Sequence, residues 1–263
     1  MNRIDEHFAA LKETGRKALI TFLTVGDPDI ETSKEAIRTM EREGVDLIEL
    51  GVPFSDPSAD GVTIQEADER ALACGTDIHV IFDMVEEIRS EIKLPMVFLL
   101  YYNVVLQYGL DAFFKKCAEV GIDGLIIPDL PYEESDEIAE YVEKYGVYQI
   151  FLVSPTSRDR VEKIAAAAKG FLYCVSSLGV TGEKSSFRTD FGEFFGIVNK
   201  YAACPACVGF GISNGEQVRE LSSYCDGAIV GSAIVKAIAS GDTLEQRMSN
   251  LTAKLKDLKS GIE

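Results

Sequence analysis

No run of 18 or more apolar residues occurs in the 263-residue chain, and a membrane-spanning helix needs about that many. A membrane span is therefore excluded. The opening residues MNRIDEHFAALKETGRK lack the basic, apolar, small-residue order of a signal peptide and are charged and helical in period, so a cytoplasmic protein is expected. Positive charge is scarce: 26 Lys+Arg stand against 43 Asp+Glu, a net charge of −17. Without a Lys/Arg stripe to displace counterions, nucleic acid is excluded as a partner. Any phosphate must be held locally, by oriented backbone N–H groups and helix N-termini.

Metal-ligand patterns are also missing. His7 and His79 lie in helical stretches without ligand spacing, and no second CxxC pair completes Cys204-Pro205-Ala206-Cys207, so no metal is expected. The six cysteines mostly occupy apolar segments, which suits reduced thiols. Two nucleotide patterns are incomplete. Glu183 breaks the Gly-Lys adjacency of a phosphate loop at Gly182, and Gly209-Phe210-Gly211 lacks the third glycine of a dinucleotide fingerprint. No Pro/Gly/Ser linker or low-complexity segment divides the chain, so one domain over residues 1–263 is expected.

What is present is alternation. Apolar runs of strand length recur eight times: Ala18–Thr24, Val45–Val52, Pro95–Tyr101, Gly124–Leu130, Tyr148–Ser154, Phe171–Ser177, Ala206–Ser213 and Gly227–Ala233. Each is followed by a charge-rich stretch with helical spacing, as in Ile138, Tyr141 and Val142 or Val161, Ile164 and Ala165. Strand then helix, eight times, means parallel pairing. An open doubly wound sheet is the rival, but eight near-equal units in a length typical of closed barrels favour a (β/α)8 TIM barrel. Residues 3–14 add an N-terminal helix with Ile4, Phe8 and Leu11 on one face, placed to cover the barrel bottom, and residues 243–258 form a final helix.

Such barrels place their chemistry at the C-terminal strand ends. In the second strand, alternation sends Ile48, Leu50 and Val52 outward and Val45, Leu47, Glu49 and Gly51 inward. Glu49 is thus a semi-buried carboxylate at the rim. Desolvation should raise its pKa, as a general acid near neutral pH requires; the same position also suits a structural glutamate paired with a lysine or a helix N-terminus. In the next loop Asp56 and Asp60 both have ordinary turn contexts. A loop rising from Glu49 can fold Asp60 back over the same mouth, giving two carboxylates whose environments separate their pKa values.

The segment ELGVPFSDPSADG, from Glu49 to Gly61, followed by Thr63, Ile64 and Gln65, resembles the signature of the tryptophan synthase alpha subunit family. LTVGDPD after the first strand, PDLPYEE after the fourth, Leu178-Gly179-Val180-Thr181-Gly182, GFGIS and GSAIVK extend the likeness over essentially the whole chain. Thr21 and Val62 stand where prolines are common in the family, which bears on loop rigidity.

The resemblance implies retro-aldol cleavage of indole-3-glycerol phosphate to indole and glyceraldehyde 3-phosphate. By this likeness Glu49 transfers protons and Asp60 accepts the indole N–H. Phe22, Ile64, Leu99, Tyr101 and Tyr173 wall the indole. Phe210, Gly211, Gly231 and Ser232 hold the phosphate end, where glycines let backbone N–H groups approach an anion, and Thr181 and Gly182 close over it. Thr181 to Asp190, with Lys184 and Arg188, reads as a lid. No cofactor is implied for this chain. Pyridoxal phosphate is expected only in a partner beta subunit, in a heterotetramer of two alpha and two beta subunits, with Pro53, Asp56 and the region of Asn103 toward the partner. A free-standing lyase that releases indole is the alternative.

Overall fold

All seven residues of β1 (Ala18–Thr24) are buried, as befits a parallel strand packed on both faces. It is followed by β2 (Leu47–Gly51), β3 (Met96–Leu99), β4 (Gly124–Ile126), β5 (Tyr148–Gln149), β6 (Leu152–Val153), β7 (Leu172–Val175), β8 (Ala206–Gly209) and β9 (Gly227–Val230). The computed structural model describes residues 2–155, 158–175, 191–209 and 211–262. The strands pair in the order β5-β4-β3-β2-β1-β9-β8-β7-β6, in parallel throughout.

The two ends of that order, β5 and β6, are separated in the chain by Ile150 and Phe151 alone. The Ile150 N–H donates to Leu125 O at 2.8 Å, and the Tyr173 N–H donates to Phe151 O at 2.9 Å. The expected fifth strand is therefore one interrupted segment, bonded first to β4 and then to β7. It closes the sheet into the (β/α)8 barrel, and the stagger between its two ladders is the shear that closure demands.

Alternation sorts the side chains into two cores. Ala18, Ile20, Leu47, Val97, Ile126, Ile150, Phe171, Cys207 and Ile229 fill the interior. Leu19, Ile48, Leu50, Val52 and Phe98 face the helices. Val45 departs from expectation: it packs with the outer set, because β2 begins only at Leu47 and strand alternation does not extend back to it. Other expected ends overshoot as well. β9 stops at Val230, since a helix begins at Ser232, and residues 211–213 belong to no strand.

Helix Arg3–Thr14 buries Ile4, Phe8 and Leu11 against the interior set, closing the end where the strands start. Asn2 caps it, accepting the Ile4 N–H, and donates to Asp123 O at 2.8 Å. Three aspartates repeat one device at this end. Asp46, Asp123 and Asp226 each immediately precede a strand and accept the N–H of Leu19 (2.8 Å), Met96 (3.0 Å) and Ala206 (3.0 Å), respectively. Asp46 also binds Arg16 and His7, and Asp123 binds Arg3. The last helix, Leu244–Lys259, opens with a capping box of Thr243 and Gln246.

All six cysteines are free, Cys204 and Cys207 included. Among the described residues no helix is long and apolar enough to cross a membrane.

Candidate active site

Phe22 on β1 lies beside Glu49 on β2, and Glu49 beside Val97 on β3. Above this layer, at the C-terminal strand ends, the interior opens into a cavity of about 110 Å³. Glu49 lines it at 1% exposure, and its Oε1 has no hydrogen-bond partner among the described residues. Burial alone pushes its carboxyl up to about 8, because desolvation penalises the charged form. Among the described residues neither a lysine nor a helix N-terminus, the structural alternatives for this position, reaches Oε1.

Asp60 also lines the cavity, at 6% exposure. The loop after β2 brings it there, and the loop's return is fixed by one phenol. The Tyr101 hydroxyl accepts the Ala59 N–H at 2.9 Å and donates to Asp60 Oδ2 at 2.7 Å. Gln65 holds the Asp60 carbonyl at 2.8 Å. Burial raises the Asp60 pKa, and the Tyr101 bond opposes that rise. Asp56 is exposed; its side chain accepts the Ser55 hydroxyl at 2.7 Å and its carbonyl the Ser58 N–H at 2.8 Å, local bonds of the turn its context suggested.

Of the residues assigned to the apolar walls, Phe22, Ile64, Leu99 and Tyr173 line the cavity. Tyr101 is not among the lining residues, and its hydroxyl supports Asp60. Two glycines make room for the rings. A Cβ on Gly51 would stand 2.4 Å from the Phe22 ring, and one on Gly209 would stand 2.5 Å from the Tyr173 hydroxyl. Sequence reasoning missed Pro128, Leu152 and Ile229, which complete the walls. Ile229 and Leu152 belong to strands whose inward register was there to be extrapolated.

Gly211, Gly231 and Ser232 also line the cavity. Gly211 adopts φ +80°, open to glycine at no steric cost. Gly231 caps helix Ser232–Ala239 without a side-chain bond, so among the described residues no side chain caps the N–H groups that open that helix, the arrangement that suits an anion. No lysine or arginine is among the described lining residues. Phe210, Thr181 and Gly182, and the stretch Thr181 to Asp190 with Lys184 and Arg188, lie outside the described residues.

Asp68 was missed altogether. Helix Val62–Ala73 buries Ile64, Ala67, Asp68 and Ala71 on one stripe. An acid on an apolar stripe is the signal that the sequence offered. Asp68 accepts the Thr24 hydroxyl at 3.3 Å, and burial together with the Asp60 charge pushes it up to about 8.

A closed parallel barrel with a cavity at its C-terminal strand ends belongs to the class of (β/α)8 barrels, which place their chemistry at that rim. Residues 8–263 match the family model described as tryptophan synthase alpha chain. The tryptophan synthase alpha chain of Thermoanaerobacter sp. (strain X514) is 49% identical over 259 residues, covering 98% of this chain and 99% of the relative. That of Caldanaerobacter subterraneus subsp. tengcongensis is 50% identical over 241 residues, 92% of each. A Mycobacterium tuberculosis tryptophan synthase structure superposes with a TM-score of 0.90 at 35% identity, over 99% of this chain and 98% of that one. The tryptophan synthase subunit alpha of Legionella pneumophila str. Paris gives 0.85 at 34% identity, over 98% and 99%. The chain belongs to the tryptophan synthase alpha chain family.

Proposed function

We infer that the chain is the alpha subunit of tryptophan synthase, a carbon-carbon lyase that cleaves indole-3-glycerol phosphate to indole and glyceraldehyde 3-phosphate in tryptophan biosynthesis. The observation that carries this reading is the buried Glu49, whose Oε1 meets no partner among the described residues, lining one aromatic cavity together with Asp60. An indole carbon leaves poorly until C3 is protonated. Glu49, neutral at rest, gives its proton to C3; as the C–C bond breaks, its carboxylate takes the proton of the glycerol hydroxyl that becomes the aldehyde. The acid is thereby regenerated.

Protonation at C3 puts positive charge on the ring nitrogen. Asp60, accepting the indole N–H, stabilises that charge more in the transition state than in the ground state. Phe22, Ile64, Leu99 and Tyr173 hold the ring, with Tyr101 steadying Asp60. Backbone N–H groups around Gly211, Gly231 and Ser232 bind the phosphate, joined by Phe210, Thr181 and Gly182.

This scheme uses no metal or organic cofactor in the chain, which acts as one catalytic domain. Indole passes to a beta subunit carrying pyridoxal phosphate, in a cytoplasmic complex of two alpha and two beta subunits. Coupling of this kind is reciprocal: a partner that tightens substrate binding is itself bound more tightly when substrate is present. Cleavage measured with and without a beta subunit tests the reading. Stimulation by the partner is expected; full activity alone, without stimulation, would instead mark a free-standing lyase.

A further inference from the structure

The fifth stave changes partners partway along its length. β5 is bonded to β4, in a ladder that ends with the Ile150 N–H on Leu125 O at 2.8 Å. β6 is bonded to β7, with Leu152 opposite Tyr173. β6 and β4 are not neighbours in the sheet, so beyond Ile150 the rim opens between them. A void of about 170 Å³ lies there, lined by Pro128, Leu130 and Tyr132 after β4 and by Phe151 and Leu152 of the fifth stave. Its walls are braced by contacts of their own. The Tyr132 and Phe151 rings pack edge to face with centroids 5.3 Å apart. Arg160, which also lines the void, donates to both Glu133 oxygens at 2.8 and 3.0 Å.

This void and the 110 Å³ active cavity share two residues, Pro128 and Leu152. The Pro128 ring is closed onto its own backbone. Leu152 packs with the interior set, as does Tyr173 beside it, so its side chain is the part of the shared wall that substitution can shorten.

The bound substrate fixes what meets that wall. Asp60, after β2, takes the indole N–H, and Glu49 on β2 serves C3. Gly211, Gly231 and Ser232, after β8 and β9, take the phosphate. Leu99, Pro128 and Leu152 line the cavity from the third, fourth and fifth staves, which leaves them to the benzo ring. Ring carbons 5 and 6 form the edge of indole farthest from N1 and C3, whereas carbon 7 adjoins the N–H side.

We propose that Leu152 is a specificity-determining residue: its side chain partitions the indole cavity from the outer void and so sets the largest substituent that ring carbons 5 and 6 can carry. The proposal rests on the function inferred above and extends it to ring-substituted indole-3-glycerol phosphates. Shortening Leu152 joins the two spaces, and the void then receives the substituent.

The test compares the parent, Leu152→Ala and Leu152→Val in cleavage of indole-3-glycerol phosphate and its 5-methyl, 6-methyl and 7-methyl forms, with thermal melting of each protein. The parent should prefer the unsubstituted substrate in kcat/KM by roughly 10- to 200-fold, the worth of one methylene in an apolar pocket. In Leu152→Ala that preference should shrink at least about tenfold for the 5-methyl or the 6-methyl substrate, with the 7-methyl preference kept. An unchanged preference, or an equal relaxation for the 7-methyl substrate, overturns the proposal. If Leu152→Ala does not fold, Leu152→Val must show a smaller relaxation with the same choice of isomer, and no relaxation there overturns it.

A second readout needs no turnover. In a crystal structure of Leu152→Ala, or of Leu152→Val if only that folds, with the better accepted methylindole bound, the methyl group should lie beside Tyr132 and Phe151; a methyl group anywhere else overturns the assignment. A parent that does not cleave indole-3-glycerol phosphate would sink the inferred reaction, whereas an active parent whose preference survives the loss of Leu152 would sink the role of Leu152 alone.

Discussion

Tyr101 donates its hydroxyl proton to Asp60 Oδ2 across 2.7 Å, while Glu49 Oε1, facing the same cavity, meets no partner among the described residues. Burial raises both carboxyls, but only Asp60 has a donor that opposes the rise. That asymmetry assigns an acid and a charge stabiliser within a single site.

Glu49→Gln retains the shape of the neutral acid but has no proton to exchange. Cleavage should fall by roughly 10²- to 10⁴-fold, the range for removing a general acid–base, while association with a beta subunit persists. Paired turnover and partner-binding measurements check this; a Gln variant at the parent rate would refute the proton-transfer role.

Tyr101→Phe removes the hydroxyl that lowers the Asp60 pKa, so the Asp60 pKa should rise further. A loss of roughly tenfold or more in kcat is expected, with the acidic limb of the pH–rate profile moved to higher pH. An unmoved limb would mean that Asp60 does not have to be ionised.

Stability should depend on pH with a definite sign. Glu49 and Asp68 are both raised in the folded chain, from 4.5 and 3.8 to about 8. Between the unfolded and folded pKa values the native state therefore binds more protons, and stability falls as pH rises. This contribution is complete below about pH 4 and is lost through about pH 8. Glu49→Gln should be more stable than the parent by on the order of 3 kcal/mol near pH 9, with the gap closing near pH 5. Denaturant titrations at the two pH values decide, and a gap that widens on acidification contradicts it.

Gly51→Ala would place a methyl group 2.4 Å from the Phe22 ring, forcing that ring into the cavity. KM should rise about tenfold and stability fall by roughly 1–3 kcal/mol, as in overpacked cores. Kinetics and melting check it, and a parental KM would place the indole elsewhere.

Much of this was legible in the sequence. The eight apolar runs became the staves of the barrel, and strand alternation alone turned Glu49 inward. Strand ends were harder to read, because apolar character runs past the last ladder bond: Ile212 and Ala233 are buried at the rim yet belong to no strand. The break at Ile150 and Phe151 follows from stagger between neighbours, which a one-dimensional pattern does not carry. Asp68 was hidden because an acid in a helix reads as solvated unless its stripe is checked. Tyr101 was placed in the site through family likeness, but its work on Asp60 depends on how a loop folds back.

The aspartate devices of Asp46, Asp123 and Asp226 sit where the strands begin, at the pole opposite the cavity. Their bonds join stave to stave without reference to the rim. The molecule is thus divided between a foundation and a workbench. Loops at the mouth can be exchanged or lengthened to admit a different substrate while the lower hoop keeps the staves in register, so a change of chemistry need not begin with a weaker fold.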